Sequence, residues 1–414
     1  MSLLIKNATI ADPHSPHNGK KNDIFIEDGR IHSIGKNIKV KAGEVIEDKD
    51  LYVSPGWVDM LADYCDPGYE HKETIHTGLA AAKAGGFTDV CIVPNTLPVI
   101  GTKSVLEYVQ RKAGNSQVNL HVLGAISRNT EGKDLAEMLD MHHSGAIAFS
   151  DGWQPVQNAQ LMLKALEYVK SFDGTIIQLP LHATLSSGGL MNEGINSVKL
   201  GMSGIPAMAE GLMIHRDIEL TRYTGSRIHF SGITTAESVN LIKAAKKKGV
   251  RVSCSVTPYH LLFTDDALSD YDSLYKVDPP LRTEADRKAL LRGLEDGTID
   301  CIASHHRPQD WDAKTKEFEY THPGMAVQEL CWSMLLKAMP HLSPERWSEL
   351  LSVNPRKILN LPEINIKKGA AASITVFNMT ATWSLSASGK KTRGVNIPFM
   401  ESELRGKAYP LNRY

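Results

Sequence analysis

The sequence predicts an α/β chain: a TIM (β/α)8 barrel with a small β-sandwich domain built from both termini. Three observations predict it. Between residues 55 and 365, apolar strand-length runs alternate with amphipathic helical stretches, the pattern of repeated β/α units. On either side, residues 2–54 and about 368–406 carry short β-rich runs broken by turn residues, the pattern of small antiparallel strands. The 414 residues, 42% hydrophobic and 22% charged, are enough to bury a barrel core with a smaller domain attached, and they exclude a disordered chain.

The N-terminal runs are LLIKNATI, DIFIEDGRIHSIG and GEVIEDKDLYVS, with a hairpin signal at Asp28-Gly29. Barrel strands are then expected at 57–61, 88–94, 118–125, 145–150, 175–181, 227–233, 250–256 and 299–304. Helices are readable between these strands. Thr235–Lys248 places Ala236, Val239, Leu241, Ile242 and Ala245 toward one side, behind a Thr at the N-cap. After the barrel, ASITVFN and the turn at Ser388-Gly389 return to the terminal style. The expected boundaries are 1–54 and 366–414 for the β domain and 55–365 for the barrel. An open doubly wound sheet is the alternative, and no GxGxxG turn follows the first strand to support it.

A net charge of −1 gives no long-range attraction to polyanions, which argues against nucleic acid as a partner. The basic run Lys246–Lys248 is expected in the solvated last turn of its helix. Cys65, Cys91, Cys254, Cys301 and Cys331 are scattered without a CxxC pair, and several lie in apolar runs, as fits a reducing cytoplasm. The chain passes from Met1 straight into SLLIKNATI, so neither secretion nor membrane insertion is expected.

In a β/α barrel the reactive groups stand at the C-terminal ends of strands. The blocks at those ends include PGWVD at 55–59, VPNT at 93–96, GAIAFSDG at 145–152, GGLMNEG at 188–194, VTPYHLL at 256–262, PPLRTEADR at 279–287 and NPRKIL at 354–359. Taken together they resemble the amidohydrolase superfamily, specifically dihydroorotases of the allantoinase-like type, over nearly the whole chain. The resemblance implies a one- or two-metal centre that activates water for attack on a ring amide, interconverting carbamoyl-aspartate and dihydroorotate. It also implies ligands from a His-x-His after the first strand, an Asp or modified Lys after the fourth, a His after the fifth, a His after the sixth and an Asp after the eighth.

This chain departs from that set. Leu61 and Asp63 stand in place of the two histidines, and Cys65 in place of the arginine assigned to the substrate carboxylate. Asp151 survives after the fourth strand. Leu179 replaces the histidine after the fifth, and His182, three residues on, is expected to point elsewhere. Gly232 replaces the histidine after the sixth strand, within HFSGITT, and His305-His306 replace the Asp-His after the eighth. Leucine has no lone pair, so the expectation is that no metal or other cofactor is held. Asp63 and Asp151 are then satisfied by hydrogen bonds or by a protonated histidine. The alternative is one zinc or other divalent ion on Asp63, Asp151 and His305, with His305 as ligand or base.

Asn95, at the family's substrate-carboxylate position, is expected to cap a loop turn once its arginine partner is lost. His260 and the PPLR segment are expected to be scaffold. SSGGLMNEG at 186–194 lacks the ending of a phosphate loop and is expected to be a plain loop. The resemblance therefore implies a catalytically silent dihydroorotase-like chain of pyrimidine synthesis, a homodimer that supports aspartate carbamoyltransferase. An active cyclic-amide hydrolase with a remodelled single-metal site is the second reading.

Overall fold

A computed structural model describes residues 2–412; Met1, Arg413 and Tyr414, which fall in the expected β domain, lie outside it. Eight strands form one parallel sheet: Trp57–Ala62, Phe87–Ile92, Asn119–Gly124, Ala146–Phe149, Ile176–Gln178, Ile228–Phe230, Val252–Val256 and Cys301–Ile302. Each pairs in parallel with the next. The first and last edges meet through a parallel bridge between Ala62 and His306, and the Asp63 N–H donates to the His306 carbonyl at 2.8 Å. This is the expected TIM-type barrel.

A buried carboxylate fastens the closing seam. Asp59 is fully buried and accepts from the Ser304 N–H at 2.9 Å, the Ser304 hydroxyl at 2.5 Å and the Gln328 amide at 2.7 Å. Gln328 in turn accepts from the Tyr64 hydroxyl at 3.2 Å. These bonds link the first strand to the segments after the eighth, which a sheet needs to close without an exposed edge.

The expected strands after the fourth and seventh barrel helices are shorter than their apolar runs. Pairing stops at Gln178 and Ile302, so Leu179 and His305 belong to segments that bend across the mouth. The first strand also departs from strict alternation. Its register with the second strand shifts between Asp59 and Ala62, and both Met60 and Leu61 enter the interior cluster with Val58, Cys91, Leu123 and Ile177.

Helix Ala236–Lys247 has Thr235 as its N-cap, whose side chain accepts from the Ser238 N–H, and buries Val239, Ile242 and Ala245. Of the basic run, Lys247 and Lys248 are exposed as expected, and Lys246 is half-buried. Its ammonium reaches both oxygens of Asp300, at 2.7 and 2.6 Å, tying the helix end to the eighth strand's approach.

Both termini meet in a single seven-stranded sheet. Strand Leu51–Pro55 pairs with Ile374–Trp383, and Ser2–Ile10 pairs with Lys21–Glu27, over a core that includes Leu3, Ile5, Ile24, Val53 and Val376. The turn at Asp28-Gly29 has positive φ at both residues, 48° and 73°, as a tight two-residue hairpin requires. Gly56 joins this sheet to the barrel. A Cβ there would stand 2.1 Å from the Thr88 hydroxyl, so only glycine passes.

The segment expected as a plain loop at 186–194 contains a strand. Met191–Asn192 pairs in parallel with Gly204–Ile205 beside the mouth. The Asn192 amide oxygen accepts from Arg282 at 2.9 Å, and Arg282 also donates to the Thr234 hydroxyl and the Ile205 carbonyl. Arg282 of the PPLR segment is thus scaffold, as expected. All five cysteines are buried and free. Among the described residues, no helix is long and apolar enough to cross a membrane.

Candidate active site at the barrel mouth

Asp63 lies just past the end of the first strand. Its Oδ1 accepts from the Cys65 N–H at 2.9 Å and its Oδ2 from the Trp153 indole N–H at 2.8 Å. The carboxylate therefore has two neutral donors, the first of the two alternatives expected for it, and not a histidine. Cys65 has a positive φ of 57°, a turn that brings its N–H back onto Asp63, and its thiol is pushed well up by burial.

Asp151 follows the fourth strand. It accepts from the Ile126 N–H at 2.8 Å, from the Ser127 N–H at 2.9 Å and from the Ser127 hydroxyl. These donors belong to the segment after the third strand, so Asp151 binds one β/α loop to the next. Burial pushes its carboxyl up to about 6, against the downward pull of those hydrogen bonds.

His305 follows the eighth strand with a φ of 48°, which turns its ring across the mouth. Its Nε2 is 2.8 Å from the Ser231 hydroxyl, and its Nδ1 is buried without a partner. Burial, reinforced by His260, His229 and Arg307, lowers it to about 3, so it is neutral at pH 7. Ser231 and His305 have the spacing of a nucleophile and its base. Both are fully buried, with exposures of 0%, so no substrate reaches them.

Gly232 and His305 interlock. A Cβ on Gly232, whose φ is 72°, would lie 2.3 Å from the His305 ring. The residue after the eighth strand thus fills the space left by the missing side chain after the sixth. Beneath it, His229 meets Ser253 at 2.9 Å and Ser255 at 3.1 Å, and burial lowers it also to about 3.

The remaining positions are apolar or structural. Leu61 and Leu179 are buried, at 1% and 2% exposure. His182 precedes the short helix Ala183–Ser186 and contacts Thr184 at 3.1 Å, away from the mouth. His260 holds the Thr257 hydroxyl and the Pro279 carbonyl, the packing role expected. His306 accepts from the N–H groups of Val327 and Gln328 at 3.1 and 3.3 Å and faces Glu73 at 3.5 Å. Asn95 does not cap its own turn. It accepts from the Trp153 N–H and donates to the Asp151 carbonyl, both at 3.0 Å, because the fourth-strand loop packs directly on it.

The single-metal alternative required Asp63, Asp151 and His305 to converge. Among the described residues, no group of three or more His, Cys, Asp or Glu side chains is placed to hold a metal ion. The donor chemistry gives the reason. Asp63 turns to Cys65 and Trp153, Asp151 to Ile126 and Ser127, and His305 to Ser231, so the three side chains answer to different neighbours and do not converge on one point. The residues present do not fit the metal centre that the resemblance implies.

Trp153 is the central residue that sequence reasoning missed. Besides holding Asp63, its ring lies edge-on to His305 at 5.6 Å and under the Arg307 guanidinium at 4.4 Å. The signal was an indole two residues after Asp151, in SDGW, at the end of a barrel strand.

Fold and mouth together define a β/α barrel with a small β domain, whose strand ends are packed by Trp153 and His305. Residues 51–238 match the family model described as dihydro-orotase-like. Proteins named dihydroorotase from Syntrophus aciditrophicus and Pelotomaculum thermopropionicum are each 40% identical, over 98% of this chain and 96% of their own. One from Acetivibrio thermocellus is 39% identical, with the same coverage. The chain belongs to the dihydroorotase family. Among solved structures, an L-hydantoinase from Arthrobacter aurescens superposes with a TM-score of 0.84 at 20% identity, covering 98% of this chain and 93% of its own. A D-hydantoinase gives 0.82 at 21%, covering 99% and 93%. These two establish the fold alone.

Two outcomes follow from the packing. Gly232→Ala is expected to cost about 2 kcal/mol or more in urea unfolding, through positive φ and the clash with His305. In a His305→Ala background the cost falls by about 1 kcal/mol; strictly additive losses would contradict the interlock. The second concerns pH. A carboxyl held near 6 in the fold, above its ordinary 3.8, takes up a proton on folding. Its stabilisation is full below the unfolded value and is lost as pH rises through about 6. Asp151→Asn is therefore expected to gain up to about 3 kcal/mol relative to the native chain between about pH 4 and pH 7.5. A pH-independent difference in unfolding free energy would contradict this.

Proposed function

We propose that this chain is a catalytically silent member of the dihydroorotase family, acting in pyrimidine biosynthesis as a non-catalytic subunit that supports aspartate carbamoyltransferase. One observation carries the loss of catalysis. The strand ends that would present metal ligands present Leu61, Leu179 and Gly232, while the Trp153 indole occupies Asp63. Ring-amide hydrolysis needs an activated, oriented water, and the two carboxylates at this mouth, Asp63 and Asp151, already accept from neighbours in the protein. The relatives named dihydroorotase support descent from a cyclic-amide hydrolase of this pathway.

A barrel that has lost its chemistry still offers a large, rigid outer surface. Binding only the folded form of another enzyme stabilises that enzyme by mass action and requires no turnover. A homodimer of this chain is part of the proposal, since two-fold pairing doubles the number of partner sites per particle.

The test has two parts. Ring opening of dihydroorotate, assayed with added zinc or manganese, is expected to stay at the buffer rate. Turnover that disappears in Asp151→Ala would overturn the silent reading. Size-exclusion chromatography after mixing with aspartate carbamoyltransferase of the same organism is expected to give a joint peak at micromolar concentrations, and separate elution would remove the proposed partnership.

A further inference from the structure

Above the filled centre lies a cavity of about 240 Å³, lined among others by Asp63, Lys72, Asn95, Trp153, Arg307 and His322. It is smaller than the range of roughly 300–1,000 Å³ typical of drug-sized ligands, so it suits a metabolite of few atoms. Its electrostatics are unusual. Arg307 stacks on the Trp153 ring at 4.4 Å, and its Nη1 is buried without a hydrogen-bond partner. Lys72 has its ammonium 5.9 Å from the centre of the Tyr69 ring. Among the described residues, neither cation has a carboxylate within ion-pair distance, although Arg222, Arg287, Arg346 and Arg356 all have one.

A guanidinium stacked on an indole is held flat, and among the described residues no protein group accepts from the Arg307 side chain in competition with a carboxylate. Burial lowers the His322 imidazole, leaving it neutral at pH 7. The charged groups lining the cavity are then Lys72, Arg307 and Asp63, a net charge of about +1 by count. Both Asp63 oxygens already have one donor each, and a carboxylate oxygen accepts more than one.

We propose that this cavity is a binding site for an acidic α-amino acid. Its two carboxylates meet Arg307 and Lys72, and its ammonium faces Asp63, so that a ligand of net charge −1 balances the lining. Its two cationic anchors, Arg307 and Lys72, lie outside the ligand positions implied by the family resemblance, and only Asp63 stands at one of them. It holds its ligand without reacting with it, and it stands whether or not a partner enzyme docks on the barrel.

Isothermal titration calorimetry of the full chain with L-aspartate and L-glutamate tests it, with L-asparagine, succinate and inorganic phosphate as comparators. Saturable binding of at least one acidic amino acid is expected, weakened roughly ten-fold or more in Arg307→Met and in Lys72→Met. Arg307→Lys is expected to restore only part of the affinity, since it keeps the charge and loses the fork. L-Asparagine, which lacks the second carboxylate, is expected to bind more weakly. No saturable binding of either acid would overturn the proposal. So would affinities unchanged by both substitutions, equal binding of L-asparagine, or tighter binding of succinate or phosphate.

Discussion

The hydrogen bond from the Trp153 indole to Asp63, 2.8 Å long, sets the character of the barrel mouth. A carboxylate at the end of the first strand is the group that would draw a cation into the barrel. Here a neutral donor satisfies it, and the indole carrying that donor fills the volume above the strand ends. The same ring supports Arg307 on one side and meets His305 on another. One side chain thus gives the carboxylate a hydrogen-bond donor and lines the cavity above it.

The other losses fit around it. With no side chain at Gly232, the His305 ring drops into the gap and finds Ser231. A histidine buried among other neutral histidines and near Arg307 does not ionise, so its ring packs as a polar wedge. Asp151 turns toward the third-strand loop, where three donors hold it. Asp63, Asp151 and His305 each have a hydrogen-bond partner within the protein. Barrel closure is carried elsewhere, by Asp59, Ser304, Gln328 and Tyr64, none of them at a ligand position implied by the family resemblance.

Much of the fold was legible because it rests on local periodicity. The eight apolar runs become the eight barrel strands, and Thr235 caps the helix it was expected to cap. The positions emptied of donors were equally legible, since Leu61, Leu179 and Gly232 lack ligand atoms whatever their setting. What the sequence did not reveal was where the remaining polar groups turn. The positive φ at His305, the register shift that sends both Met60 and Leu61 inward, and the reach of Trp153 to Asp63 across 90 residues all depend on non-local packing. Asn95 was misread for the same reason, because its partners lie 56 and 58 residues away. The pairing of Lys246 with Asp300 likewise needed the barrel to be closed before it could be seen.

The most direct test is a crystal structure of the protein grown with millimolar zinc, with data collected at the zinc absorption edge. The account predicts no anomalous peak at the barrel mouth and the Trp153 indole within hydrogen-bonding distance of Asp63. A peak shared by Asp63, Asp151 and His305, with the indole swung aside, would contradict it.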